Sequence, residues 1–98
     1  MLVVRDVFTA KPGQASRFAK LMHKAAAAGL NARVMTDLVG DYNTVVMEYQ
    51  VQNLAEFEQK YNEYRSGKIT ADPKLAEEMS HYAELWQSGR REIFQVVE

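Results

Sequence analysis

The stretch "MSHYAELW" (79–86) holds a histidine, a tyrosine and a tryptophan in close succession. Imidazole titrates near neutrality, so such a cluster could move protons. On a helical wheel at about 100° per residue, however, Met79, Tyr82 and Trp86 share a sector with Leu75, while His81 and Glu84 point away. The spacing therefore predicts Tyr82 and Trp86 as inward-facing residues of one helix and His81 as a surface residue. Tyr82 and Trp86 can still wall a ligand pocket, because each carries a polar handle on an apolar body. His23, beside Lys20 and Lys24, falls on the flank of another helix, and two isolated histidines give no metal-ligand spacing.

Two carboxylates are the other candidates. Asp6 in "LVVRDVFTA" (2–10) and Asp37 in "ARVMTDLVG" (32–40) lie in segments rich in β-branched and aromatic residues. A carboxylate in such a setting can act as a base or orient a substrate. Tyr49, in "TVVMEYQV" (44–51), is expected beside them as a pocket wall.

The elements that must position these groups follow from periodicity and caps. Segments 2–10, 32–40, 44–51 and "RREIFQVV" (90–97) read as strands. "DYN" (41–43) supplies turn chemistry, making the second and third strands a hairpin. Pro12 is expected in the first turn of a helix that Gly29 stops, with Ala15, Phe18, Ala19, Met22 and Ala26 on one stripe. Asn53 with Glu56 resembles a capping box for a second helix bearing Leu54, Phe57, Tyr61 and Tyr64 and ending near Gly67. Asp72 and Pro73 open a third helix, expected to run to Gly89. The order is βαββ(αα)β, an α+β ferredoxin-like, antiparallel four-stranded sheet with helices on one face and a divided second helix.

Alternation along the strands sorts Leu2, Val4, Asp6 and Phe8 from Val3, Arg5, Val7 and Thr9. It sorts Val45, Met47, Tyr49 and Val51 from Val46, Glu48 and Gln50, and Glu92, Phe94 and Val96 from Ile93, Gln95 and Val97. Each strand is apolar on both faces, and helices can cover only one. The other face needs a cover to avoid an unusually large exposed patch, and a second copy of the chain is the expected cover. Internal charges such as Arg5, Arg33, Glu48 and Glu92 then need partners across neighbouring strands or across the dimer.

Composition narrows the function. The 98 residues suit one domain, 1–98, and a chain of this size gains from burial against a partner. A net charge of −1, with 12 basic and 13 acidic residues, argues against a nucleic-acid or membrane-surface binder. With no cysteine, disulfides and thiolate chemistry are excluded. No apolar run approaches a membrane span, and Arg5 and Asp6 interrupt what would be a signal peptide's core, so a cytoplasmic location is expected. No metal, flavin or haem is expected either: glycines are scattered, and no dense acidic loop or paired histidines occur.

The chain resembles the dimeric α/β-barrel superfamily, most of all its NIPSNAP-like and antibiotic-biosynthesis-monooxygenase-like branches. The resemblance spans nearly the whole chain. It rests on "VVRDVFTAKPG" before a helix with Phe18, on "TVVMEYQVQNLAEFEQ", on "ADP" before the last helix and on "SGRREIFQVV". It implies a homodimer of sheets packed face to face, with a pocket between sheet and helices in each subunit. Enzymatic members include cofactor-independent oxygenases, haem-degrading oxygenases and small isomerases. Haem-degrading members place an asparagine on the first strand and a histidine on a helix. Here the first strand offers Arg5 and Asp6, and His81 faces solvent, so the chain departs from that pattern.

Two functions are therefore expected to compete. One is a cofactor-free oxygenase or isomerase acting on a small aromatic or enolisable ligand, with Asp6 and Asp37 as base or orienting groups and Tyr49, Tyr82 and Trp86 as walls. The other is a non-catalytic ligand-sensing or stress-related dimer. A third role, a pure interaction module, would require a tightly filled interior.

Overall fold

A computed structural model describes residues 1–27, 31–66 and 72–98. Its elements are β1 (Leu2–Ala10), α1 (Ala15–Ala27), β2 (Arg33–Thr36), β3 (Thr44–Val51), α2 (Leu54–Arg65), α3 (Pro73–Ser80), a short 3-10 turn (Tyr82–Glu84) and β4 (Trp86–Gln95). The four strands form one antiparallel sheet in the order β2-β3-β1-β4. This is the ferredoxin-like α+β arrangement. The molecule is only 18 Å thick, the depth of one sheet and one helix layer. No helix among the described residues is long and apolar enough to cross a membrane.

Register assigns the faces. Leu2, Val4, Asp6 and Phe8 of β1 lie level with Val51, Tyr49, Met47 and Val45 of β3 and with Gln95, Ile93, Arg91 and Gly89 of β4. The helices cover this face. Phe18, Leu21 and Met22 of α1 and Leu75 of α3 pack with Val45 and Ala10 in one cluster. Ala26 of α1 and Phe57 of α2 pack with Val4, Met47, Tyr49 and Val51 in another. The amphipathic stripe on α1 thus does what its spacing dictates, burying an apolar face against a sheet.

On the opposite face the charges pair across strands. Arg33 donates to Glu48 Oε1 at 2.7 Å, Arg5 lies 3.5 Å from Glu48 and 3.6 Å from Glu92, and Arg90 donates to Glu92 at 2.8 Å. These five residues form one ionic chain across all four strands. Val3, Val7, Met35, Val46 and Phe94 flank it, with Phe94 51 % exposed.

The caps follow the local sequence. Asn53 Oδ1 accepts from the Glu56 amide at 2.9 Å, and Glu56 accepts in return from the Gln52 amide at 2.9 Å. Asp72 Oδ1 accepts from the Lys74 amide at 3.0 Å, with Pro73 at the first helical position. Both caps satisfy amides that a helix start leaves without intrahelical partners.

Four boundaries differ from the periodicity. Pro12 and Gly13 belong to a turn before α1, closed by the Gln14 amide donating to Lys11 O at 2.9 Å. Gly13 there has φ +80°, which a side chain would disfavour. The second strand stops at Thr36, because Asp37 turns the chain into the hairpin loop, where Tyr42 (φ 64°) and Asn43 (φ 57°) are left-handed. The third helix stops at Ser80, so Trp86 begins β4 rather than ending a helix. Gly89 is likewise inside β4, opposite Phe8, where an added Cβ would come within 3.1 Å of the Phe8 ring. Leu75, Met79, Tyr82 and Trp86 nevertheless share one core cluster, because the 3-10 turn redirects the chain without leaving that side of the sheet. The expected stops at Gly29 and Gly67 lie outside the described residues.

His81 is 63 % exposed at its side chain, and its pairing with Glu84 at 3.7 Å is in solvent. Trp86 packs edge-on to Phe8 at 5.2 Å. His81→Ala is therefore expected to change stability by less than about 0.5 kcal/mol. Trp86→Ala should cost about 3 kcal/mol through lost burial and a residual cavity. Chemical denaturation of both variants checks this, and equal midpoints would contradict the packing of Trp86.

Candidate functional site

A cavity of about 270 Å³ lies between the sheet and the helices. Asp6 and Tyr49 reach it from the sheet, Tyr61 and Tyr64 from α2, and Tyr82 and Trp86 from the segment joining α3 to β4. Four of the five residues anticipated as site residues thus converge: Asp6, Tyr49, Tyr82 and Trp86. Asp37 does not join them. It braces the β2–β3 loop, accepting from the Thr44 amide at 3.0 Å while its own amide donates to Thr44 O at 3.2 Å.

Asp6 is the only polar or charged residue among the described residues to be fully buried, at 5 % exposure. A carboxylate so placed needs a cationic partner. Arg91 supplies it, with Nε donating to Oδ1 at 2.6 Å. The two residues sit directly opposite one another on β1 and β4. Arg91 then reaches α2, its guanidinium lying 4.9 Å from the Tyr61 ring centre and 5.5 Å from that of Phe57. These are cation–π distances. Burial alone would lower the Arg91 pKa, but the hydrogen bond and charge of Asp6, aided by Tyr49 and Tyr61, raise it above its ordinary value.

The tyrosines share this environment. Burial, then the Asp6 charge, pushes the Tyr49 hydroxyl up to about 12, with Arg91 pulling the other way. Burial also pushes Tyr64 up to about 12, helped by its neighbour Tyr82 and by Asp6. Both stay protonated at neutral pH, with the Tyr64 hydroxyl hydrogen-bonded to Tyr82. The remaining wall is apolar, with Met22, Ala25, Met47 and Met79 beside Phe8. Phe8 stands edge-on between Phe18 (5.1 Å) and Trp86 (5.2 Å), and Tyr82 lies 6.2 Å from Trp86. The Trp86 indole Nε1 is buried without a hydrogen-bond partner among the described residues. No cluster of three or more His, Cys, Asp or Glu suited to a metal occurs among the described residues.

Sequence reasoning missed Arg91 and the α2 tyrosines as site residues. Arg91 sits in "GRREI", where charge suggests solvent, and only the pairing of β1 with β4 brings it to Asp6. The usable signal was Asp6 itself, since a carboxylate on the apolar alternation of β1 requires a cation on a neighbouring strand. Tyr61 and Tyr64 were legible as a helical stripe, but not as cavity walls.

The arrangement defines a class: a ferredoxin-like α+β protein with an aromatic cavity around one buried carboxylate–guanidinium pair. The same fold occurs in solved structures of NIPSNAP and antibiotic-biosynthesis-monooxygenase-like proteins. A NIPSNAP domain protein from Burkholderia xenovorans superposes with a TM-score of 0.73 at 16 % identity, covering 99 % of this chain and 95 % of its own. A NIPSNAP family protein from Agrobacterium tumefaciens gives 0.75 at 14 % identity, covering 99 % and 93 %. A protein provisionally named an antibiotic biosynthesis monooxygenase, from Deinococcus radiodurans, gives 0.64 at 16 % identity, covering 100 % and 94 %. These neighbours agree with the resemblance read from the sequence, and at such identities they establish the fold. No protein-family profile and no curated protein sequence matches the chain.

The raised tyrosines make an alkaline prediction. A tyrosine that ionises at its ordinary value of 10.0 in the unfolded chain but near 12 in the fold leaves the folded state with more bound protons between those values. Stability is then undiminished below pH 10 and falls as pH rises toward 12. Urea midpoints measured from pH 9 upward should decline on this account, and the decline should be shallower in Tyr49→Phe and Tyr64→Phe. Unchanged slopes in both variants would contradict the burial assigned to these hydroxyls.

Proposed function

We propose that this chain binds a small aromatic or enolisable compound in the cavity and acts on it by proton transfer, as a cofactor-free oxygenase or isomerase. The observation that carries this reading is the buried Asp6 carboxylate among Tyr49, Tyr82 and Trp86 in an open cavity of about 270 Å³. Only Oδ1 of Asp6 is engaged by Arg91 among the described residues. Its second oxygen is the candidate base. Removal of an acidic C–H or phenolic proton gives a substrate anion. That anion either is reprotonated at another carbon or transfers electrons to dioxygen.

Arg91 fixes the position of that carboxylate through its 2.6 Å contact with Oδ1. The same contact favours the second reading, a non-catalytic ligand-sensing or stress-related module, because a carboxylate already engaged by a guanidinium can serve as a structural ion pair alone. A pure interaction module has less support, given the cavity. A cytoplasmic location is part of this proposal.

A homodimer through the open sheet face is part of this proposal, giving a dimeric α/β barrel. Phe94, Val3 and Met35 flank the ionic chain there, and a second copy would cover both. At micromolar concentration, sedimentation is expected to report twice the 11.2 kDa chain mass. A single species at the chain mass would refute this part.

The catalytic part is tested by a thermal-shift screen of phenolic and enolisable aromatics, followed by turnover assays with each stabilising compound. Asp6→Asn keeps an acceptor for Arg91 and removes the base, so turnover should fall about 100-fold or more. Undiminished turnover in Asp6→Asn would exclude Asp6 as the base. A compound that stabilises the fold but is never turned over would favour the passive binder.

A further inference from the structure

The charges around the cavity do not cancel. Asp6 is matched by Arg91 at 2.6 Å. Arg90 also borders the cavity, but register directs its side chain to the opposite face, where it donates to Glu92 at 2.8 Å. Lys60 of α2 remains. It borders the cavity beside Tyr61 and Tyr64, is half-buried, and forms no ion pair with a carboxylate among the described residues. The cavity thus carries one uncompensated positive charge, although the whole chain has a net charge of −1.

The surroundings make that charge effective. Aromatic walls exclude competing solvent from part of its environment, and an ammonium attracts an anion more strongly where water is displaced. Tyr64 lies one helical turn on from Lys60 and lines the same cavity, so the two side chains share one face of α2 there. Size limits the rest of the ligand. A cavity of about 150 Å³ holds a benzene, so about 270 Å³ admits a fused bicyclic ring with a small polar head.

We propose that Lys60 is the specificity-determining anchor of this cavity and that its ligand is an aromatic monoanion, an aryl carboxylate whose ring lies among the aromatic walls. This rests on the reading of the cavity as a ligand site for small aromatics, and it adds the charged head group and the residue that selects it. Lys60 acts in binding; the proton-transfer role stays with Asp6.

The test uses 2-naphthoate and its uncharged counterpart, 2-naphthamide, titrated into the protein by calorimetry. Emission from Trp86, the single tryptophan, reports whether the cavity itself is filled. Naphthoate should bind about tenfold more tightly than naphthamide, the scale of one charge-assisted hydrogen bond. Lys60→Met keeps the aliphatic stem and should bring the two affinities within about twofold, while Lys60→Arg should retain the preference. Lys60 lies on the outer helix layer, and circular dichroism of each variant checks that the fold is kept. Equal binding of both compounds to the unaltered protein, with Trp86 responding, would overturn the anionic selectivity and leave the aromatic cavity standing. A preference that persists in Lys60→Met would overturn the role of Lys60. Binding of neither compound, or heat without a change in Trp86 emission, would overturn both this inference and the cavity reading beneath it.

Discussion

The pairing of Asp6 with Arg91 is the contact on which the covered side of this molecule depends. A carboxylate on a central strand, under a helix layer, is stable as a charge only beside a cation. Arg91 meets that need from β4 and continues beyond it to lie against Phe57 and Tyr61. Helix α2 buries none of its residues completely, so its hold on the sheet comes from partly buried aromatics and from this guanidinium. One side chain therefore neutralises the interior charge, ties the outer helix to the sheet and fixes the position of Asp6.

The two faces of the sheet treat charge differently for the same physical reason. On the covered face water is scarce, and one charged pair is retained where a cavity opens beside it. On the open face Arg33, Glu48, Arg5, Glu92 and Arg90 alternate in sign across four strands. Each carboxylate there has two guanidinium neighbours, so the row tolerates partial dehydration better than any isolated pair would. Apolar rows flank it on both sides. Such a surface can stay in water or receive a second surface, because each of its charges already has an oppositely charged neighbour within the chain.

Small residues create the space that the aromatics use. Gly89 stands opposite Phe8 with no side chain to contest the ring's position. Phe8 can then present its edge to both Phe18 and Trp86, an arrangement that aromatic quadrupoles favour. Phe8 and Trp86 of this group line the cavity from the sheet side, and Lys60, Tyr61 and Tyr64 line it from α2.

Local chemistry was legible in the sequence. Asn53, Asp72 and Pro73 mark helix starts because a cap depends on amides only a few residues away. The alternation of Leu2, Val4, Asp6 and Phe8 against Val3, Arg5 and Val7 is fixed by the period of two that every strand imposes. That Asp6, Tyr49, Tyr82 and Trp86 lie on the covered side, where they line the cavity, follows from their positions within apolar patterns. Tertiary structure decided what those patterns met. Asp6 and Arg91 are 85 residues apart, and only strand order and register make them neighbours. Asp37, equally plausible by its surroundings in the sequence, closes a loop instead, because the hairpin needed an acceptor for Thr44. Trp86 kept its predicted side but changed its element, since helix periodicity and a 3-10 turn into a strand can deliver the same face. A local pattern fixes which way a side chain turns; the partner it finds there belongs to a distant part of the chain.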